Sequence, residues 1–223
     1  RAIRSGILQR IAVMYFEWSG FGQTVKPVDW TLIAGEEDAL AFAARLNEAP
    51  IVRGRFTSIS GAIGIGSVLF RDNGFEGTRR VIDISGDGPN NTGPRVNLVR
   101  DEIIGRAITI NGLPIVNDRP QPFGVPQIDD LDIYFETCVI GGPGAFIVVA
   151  EDFQDFGAAS RRKLILEIAG IEPDPGEAPA VRLAAPRAGI ARVIPVTRFE
   201  PPDCLIGEQL LESYRLLRTS PNP

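Results

Sequence analysis

The 223-residue sequence contains no histidine. That absence excludes a Ser-His-Asp or Cys-His catalytic arrangement within the chain. It also excludes His-ligated zinc and haem, so any metal here should be a hard cation held by oxygen. No apolar run approaches the roughly 18 residues needed to cross a bilayer as a helix. Positive charge is scarce relative to negative: 23 Lys+Arg stand against 28 Asp+Glu, for a net charge of −5. No Lys/Arg block stands out, so neither nucleic acid nor an anionic membrane is an expected partner. No GxxxxGK[ST] phosphate loop occurs. The run Gly61 to Gly66 (GAIGIG) lacks the spacing of a dinucleotide loop and falls inside a predicted helix. Paired carboxylates at a recognisable spacing and nucleophile motifs are also absent. The chain therefore reads as non-enzymatic, with no catalytic residue.

Cysteine is sparse as well. Cys138 and Cys204 are either two separate buried thiols or one disulfide tying a C-terminal segment to the main domain. The sequence leaves both open. An initiator Met and a signal-peptide apolar region are missing from the opening Arg-Ala-Ile-Arg, which reads as the interior of a longer reading frame.

What is present is a succession of strands and helices. Ile11 to Phe16 (IAVMYF) is a continuous apolar run of the kind that suits a strand covered on both faces. Asp29 to Ile33 reads as a shorter strand, joined to the first through Ser19 to Val28 as a hairpin with an edge strand. Gly35 to Asn47 reads as a helix with two acids in its first turn. Ser60 to Phe70 is a second helix, Val81 to Ser85 a strand, and Pro94 to Arg106 a helix with proline suited to its first turn. Ala107 to Ile110 and Ala145 to Val149 read as strands. Asp129 to Thr137 and Phe153 to Ala169 read as helices. Alternation of this kind predicts an α/β doubly wound, mostly parallel sheet with an antiparallel edge strand, over residues 1–170. Residues 171–223 read as a Pro-rich C-terminal arm, with a closing helix at Glu208 to Leu217.

Ligands in such a sheet sit beyond the carboxyl ends of the strands. Asp87 lies at one such end, in the Gly-rich turn of "RRVIDISGDGPNNTG". Thr57-Ser58-Ile59-Ser60 lies at another, just before a predicted helix. A carboxylate and hydroxyls suit Mg²⁺. The plainer readings are a Gly-flanked turn for Asp87 and a helix cap for Thr57 to Ser60. Asp129, Asp130 and Asp132 read as a solvated helix start. Glu17 and Trp18 end the first strand and could line the same rim; the preferred reading is a Trp that covers the sheet edge. Gly141 to Gly144 (GGPG) reads as a rigid turn.

The succession "YFEWSG", "GRFTSISGAI", "RRVIDISGDGPNN", "ITINGLPI", "CVIGGPGAF" and "RRKLILEIAG" resembles an exported bacterial family of unknown function with a von Willebrand factor A-like domain. The likeness spans about Arg1 to Gly170. The resemblance implies a metal-ion-dependent adhesion site for Mg²⁺, or for Mn²⁺ or Ca²⁺. Thr57 matches its threonine element, and Asp87 matches the aspartate of its Thr-Asp-Gly-like turn. Ser58, Ser60, Asn90 and Asn91 would orient the loops or meet a partner. It also implies a protein partner, export to the periplasm or outside the cell, and more reason for a Cys138–Cys204 bond. One element departs from the pattern. No Asp-x-Ser-x-Ser occurs in the chain, so the metal could be absent. The first central strand, expected between Ile11 to Phe16 and Val81 to Ser85, is also missing. We therefore expect a strand supplied by an upstream piece or by a partner chain, because two buried strand edges would otherwise leave their backbone groups unpaired.

Overall fold

The structure is a computed structural model and describes residues 2–5, 8–51, 54–116, 128–169 and 202–219. Of the arm expected over residues 171–223, residues 171–201 lie outside the described residues. Helix α1 (Ala2–Ser5) leads into strands β1 (Ile11–Trp18) and β2 (Thr24–Ile33), which pair antiparallel. Strand β2 is longer than its sequence suggests because it carries Pro27 through the ladder. Phe16 there stands opposite both Lys26 and Pro27, since Tyr15 pairs with Val28 and Glu17 with Val25. An edge strand with an irregular register tolerates a residue that cannot donate.

Helix α2 (Glu36–Glu48) starts where Asp38 accepts hydrogen bonds from the Ala34 and Gly35 amides at 2.9 and 3.1 Å. This satisfies two donors beside the helix start and puts negative charge in the first turn. Phe42 on α2 packs with Val28 and Ile33, giving the antiparallel pair a small core of its own.

Helix α3 (Ile59–Leu69) follows, then β3 (Val81–Gly86), α4 (Val96–Ile104) and β4 (Thr109–Pro114). Strands β3 and β4 run parallel, from the pair Val81–Thr109 to the pair Gly86–Pro114. The strand expected at Ala145 to Val149 is reduced to isolated parallel bridges, Gly112–Ile147 and Ile115–Ala150. It still hydrogen-bonds along β4: Gly112 N donates to Phe146 O, and Val148 N to Gly112 O.

The helix expected over Asp129 to Thr137 is α5 (Leu131–Tyr134), continued as a π-helical turn, Phe135–Val139. The Ile140 amide closes that turn onto Phe135 O at 2.9 Å. Helix α6 (Phe156–Ala169) and helix α7 (Ile206–Thr219) complete the described elements.

Both faces of the parallel sheet carry packed side chains, and most of its strand residues are apolar; Asp83 and Asn111 are polar exceptions. Ile82, Ile84 and Ile110 pack with Ile59 and Ile63 of α3, Ile103 of α4, and Tyr134, Phe135 and Val139. Leu113, Val148 and Ala150 pack with Ala159 of α6 on the opposite side. The architecture is mixed α/β: a small parallel sheet beside an antiparallel pair.

Among the described residues no ladder joins β1 to β3; the two pairs form separate sheets. Trp18 bridges them by side-chain contact. Its ring lies 3.6 Å from where a Gly86 Cβ would stand, and it packs with Phe16 against the main core. The expected role of Trp18 as a cover for a sheet edge agrees with this position.

Candidate functional site

Two loops meet at the carboxyl end of β3. One precedes α3 and carries Thr57 and Ser58. The other follows β3 and carries Asp87 to Gly93. They are joined by hydrogen bonds in both directions. Asn91 Oδ1 accepts from Thr57 N at 2.8 Å, and Asn91 N donates to Thr57 O at 2.8 Å. Thr92 N adds a longer bond to Thr57 O, 3.3 Å. Ser58 N donates to Ser19 O at 2.7 Å, so the β1–β2 hairpin abuts the same place.

Side chains cap the start of α3. Ser58 Oγ accepts from Gly61 N at 3.2 Å, which makes the helix-cap reading correct for Ser58. Asn90 Oδ1 accepts from Ser60 N at 3.0 Å. Gly93 permits this closeness. It has a φ of +91°, and a Cβ there would stand 2.8 Å from Ser58 Oγ and 3.1 Å from Ser60 Oγ. Only glycine meets both demands without strain. Sequence inspection alone overlooked it.

Asn90 is the hub of the site and is completely buried. Its amide nitrogen donates to Glu208 Oε1 of α7 at 2.7 Å and, more weakly, to Pro94 O at 3.4 Å. Its backbone N donates to the Tyr134 hydroxyl at 3.2 Å, and that hydroxyl donates to Cys204 O at 3.4 Å. Burial raises the Tyr134 phenol well above its ordinary range. It stays protonated, as a donor to Cys204 requires. Cys204 is joined to Cys138 by a disulfide with an S–S distance of 2.04 Å. The bond secures the start of α7 against the π-helical turn.

The rim thus gathers Thr57, Ser58, Ser60, Asn90 and Asn91, and Asp87 stands three residues before Asn90 on the same loop. Asp87 and Thr57 are both partly exposed. Among the described residues, three buried side-chain oxygens lack a hydrogen-bond partner: Ser60 Oγ, Thr92 Oγ1 and Glu208 Oε2. All three belong to residues on or against the Asn90–Gly93 loop. They are hydroxyl and carboxylate oxygens, the donor chemistry a hard cation takes, so the donor set fits such an ion. No cluster of three or more His, Cys, Asp or Glu is found among the described residues.

A second polar cluster lies elsewhere, between β3, β4 and α6. Lys163 is fully buried and forms an ion pair with Asp83 and a longer one, 3.4 Å, with Glu167. Asn111 of β4 donates to Glu167 at 3.2 Å and accepts from Phe146 N at 3.1 Å. Burial pushes the Asp83 carboxyl up to about 6, against the pull of Lys163 and with Glu167 adding to the rise. This network binds α6 to the sheet. The one available signal was Lys163 sharing a helical stripe with Ala159 and Leu166 (i−4 and i+3).

These features define a mixed α/β domain with a polar, glycine-shaped rim at the carboxyl end of a small parallel sheet. The chain belongs to DUF1194, a family of proteins of unknown function, which it matches over residues 1–172. No curated protein matches it. Among solved structures it is similar to proximal thread matrix protein 1 from the mussel byssus, at 13% identity and a TM-score of 0.50. That likeness covers 74% of this chain and 38% of the mussel protein. It is also similar to the conserved hypothetical protein BatB from Bacteroides thetaiotaomicron, at 14% identity and a TM-score of 0.49, over 76% of this chain and 83% of that one. At such identities the likeness concerns the fold alone. The family match and the mussel structure are consistent with a von Willebrand factor A-like fold.

Proposed function

We propose that this chain is a non-enzymatic, protein-binding module of von Willebrand factor A-like type, working in the periplasm or outside the cell. Its recognition surface is the rim, and Thr57 and Asp87 hold a hard divalent cation there, Mg²⁺ or alternatively Mn²⁺ or Ca²⁺. Ser58, Ser60, Asn90 and Asn91 set the loops that carry those two residues. A bound cation would take a carboxylate from the partner, which makes association metal-dependent. The observation that carries this reading is the pairing of Thr57 with Asn91, which draws the threonine loop against the loop of Asp87. The Cys138–Cys204 bond supports an oxidising compartment.

The finer sheet architecture belongs to the same reading. Strands β1 and β3 both end at the rim, carry side chains into one core, and have no ladder between them. One parallel strand between them, from an upstream piece or a partner chain, would complete a doubly wound sheet. It would also satisfy two rows of backbone groups.

The test is direct. Protein freed of metal with EDTA is titrated with Mg²⁺ or Mn²⁺ by calorimetry. Saturable binding lost in Asp87→Ala, with an unchanged circular dichroism spectrum, supports the reading. Equal behaviour of parent and variant refutes it.

The two separate sheets also favour a second reading: a structural subunit of a larger assembly, docked through the β1 and β3 edges, which pair with no further strand among the described residues, and through the C-terminal arm, with no metal. A stable monomer in size-exclusion chromatography would count against that reading.

A further inference from the structure

We propose that Glu208 is the chain's own carboxylate ligand for the rim cation, delivered by the C-terminal helix α7. This rests on the reading of the rim as a cation site. Three observations converge on it. Glu208 Oε1 is engaged by the Asn90 amide at 2.7 Å, the same side chain that holds the start of α3. Glu208 Oε2 is buried and has no hydrogen-bond partner among the described residues. The Ser60 and Thr92 hydroxyl oxygens, on the two loops Asn90 and Asn91 tie together, are buried and unpartnered as well.

The charge balance at Glu208 points the same way. Glu208 is partly exposed, but its Oε2 is enclosed, and an enclosed carboxylate oxygen needs a donor or a positive partner. Among the described residues, Glu208 pairs with no Lys or Arg. Its neutral partner, Asn90, gives one hydrogen bond and no charge. Tyr134 nearby gives its hydroxyl proton to Cys204 O instead. Glu208 does sit in the first turn of α7, where the helix dipole favours an acid. That field acts on the carboxylate as a whole and does not supply a donor to the sealed oxygen. A hard cation would supply the charge and would take lone pairs from the enclosed carboxylate oxygen and the hydroxyl oxygens alike.

The position of α7 is built, not incidental. The disulfide fixes Cys204 four residues before Glu208. Gly207 lies against the Asn90 backbone so closely that a Cβ there would stand 2.0 Å from Asn90 O. The residue before Glu208 must therefore be glycine for the carboxylate to reach the rim.

The experiment uses the full chain, stripped with EDTA and titrated with Mn²⁺, read by calorimetry and by the paramagnetic resonance signal of free Mn²⁺. Parent, Asp87→Asn, Glu208→Gln and Glu208→Asp are compared. Glutamine keeps an oxygen for the Asn90 amide, so the helix stays docked and melting is unchanged. The expected result is a loss of at least tenfold in Mn²⁺ affinity for Glu208→Gln, with Glu208→Asp in between. If Asp87→Asn loses the ion while Glu208→Gln binds like the parent, the Glu208 assignment is overturned and the rim reading stands. If only the Glu208 variants lose it, Glu208 is a ligand and Asp87 is not. If the parent binds no ion, both fall.

Discussion

Asn91 holds Thr57 from both sides, accepting from its amide and donating to its carbonyl, each at 2.8 Å. The side-chain half of this clasp joins residues 34 apart in sequence and is partly buried. Replacing Asn91 by Ala removes it and leaves the Thr57 amide without that acceptor. The expected cost is about 1–2 kcal/mol, measured as a lowered urea midpoint. On the cation reading the same change also weakens Mn²⁺ binding, because the threonine loop loosens.

The Lys163 network ties α6 to the parallel sheet. Its ammonium has 1% side-chain exposure, against 31% for Asp83 and 16% for Glu167. Lys163→Met strands two acids against an apolar side chain. Asp83 keeps partial contact with water, so a loss below that of a fully buried pair, about 1–3 kcal/mol, is expected. Adding Asp83→Asn to Lys163→Met should restore part of that loss, since one uncompensated acid is removed. Denaturant unfolding of the two variants side by side decides it. A double variant no better than the single one would show that the ion pair is not what matters there.

Asp83 also sets a pH dependence of known sign. Its folded carboxyl titrates near 6, raised chiefly by burial, against 3.8 for an ordinary aspartate. Between those values the folded chain holds the proton more tightly than the unfolded chain. The contribution of Asp83 is therefore most favourable below about pH 4 and is lost as pH rises toward about 6. Other carboxylates titrate in the same range, so the comparison must be differential. The stability of Asp83→Asn relative to the parent should rise as pH is raised through this window. A difference independent of pH would contradict it.

Local signals in the sequence reach as far as local physics does. The apolar run at Ile11 to Phe16 and the acids before Ala39 reveal β1 and α2, because burial and helix charge act within a few residues. The turn at Asp87 and the cap at Ser58 were readable for the same reason. The switch from α5 to a π-helical turn at Phe135 was not, since tertiary packing of Phe135 and Cys138 decides it. Lys163 lies beside Arg161 and Arg162, and beyond its stripe with Ala159 and Leu166 nothing local sets it apart from them; its burial follows from its distant partner Asp83. Glu208 meets Asn90 across 118 residues, and no local pattern encodes that contact.

The disulfide joins residues 66 apart and should be worth about 4 kcal/mol through the unfolded chain, on the loop-entropy account. Its geometric role is separable from that figure. The double variant Cys138→Ser/Cys204→Ser is expected to unfold at a lower temperature. It should also free the start of α7, so that the Asn90 amide, now bonded to Tyr134, exchanges its hydrogen faster. Fast exchange at Asn90, with exchange in β3 and β4 unchanged at a temperature where the variant is folded, would locate the effect at the rim. Equal acceleration everywhere would mean that the bond acts on global stability alone.

Gly207 tests the same docking without touching a charge or a bond. A methyl at this position meets Asn90 O at 2.0 Å, backbone against backbone, where neither group can swing aside. In Gly207→Ala the helix must lift or Asn90 must shift. Either movement breaks the 2.7 Å contact between Asn90 and Glu208. The expected outcome is a clear fall in melting temperature, reflecting the lost packing of Leu211, which is 6% exposed. Helix propensity works the other way, since alanine favours a helix over glycine by about 1 kcal/mol. A variant as stable as the parent would therefore mean that α7 does not rest on the Asn90 loop in solution.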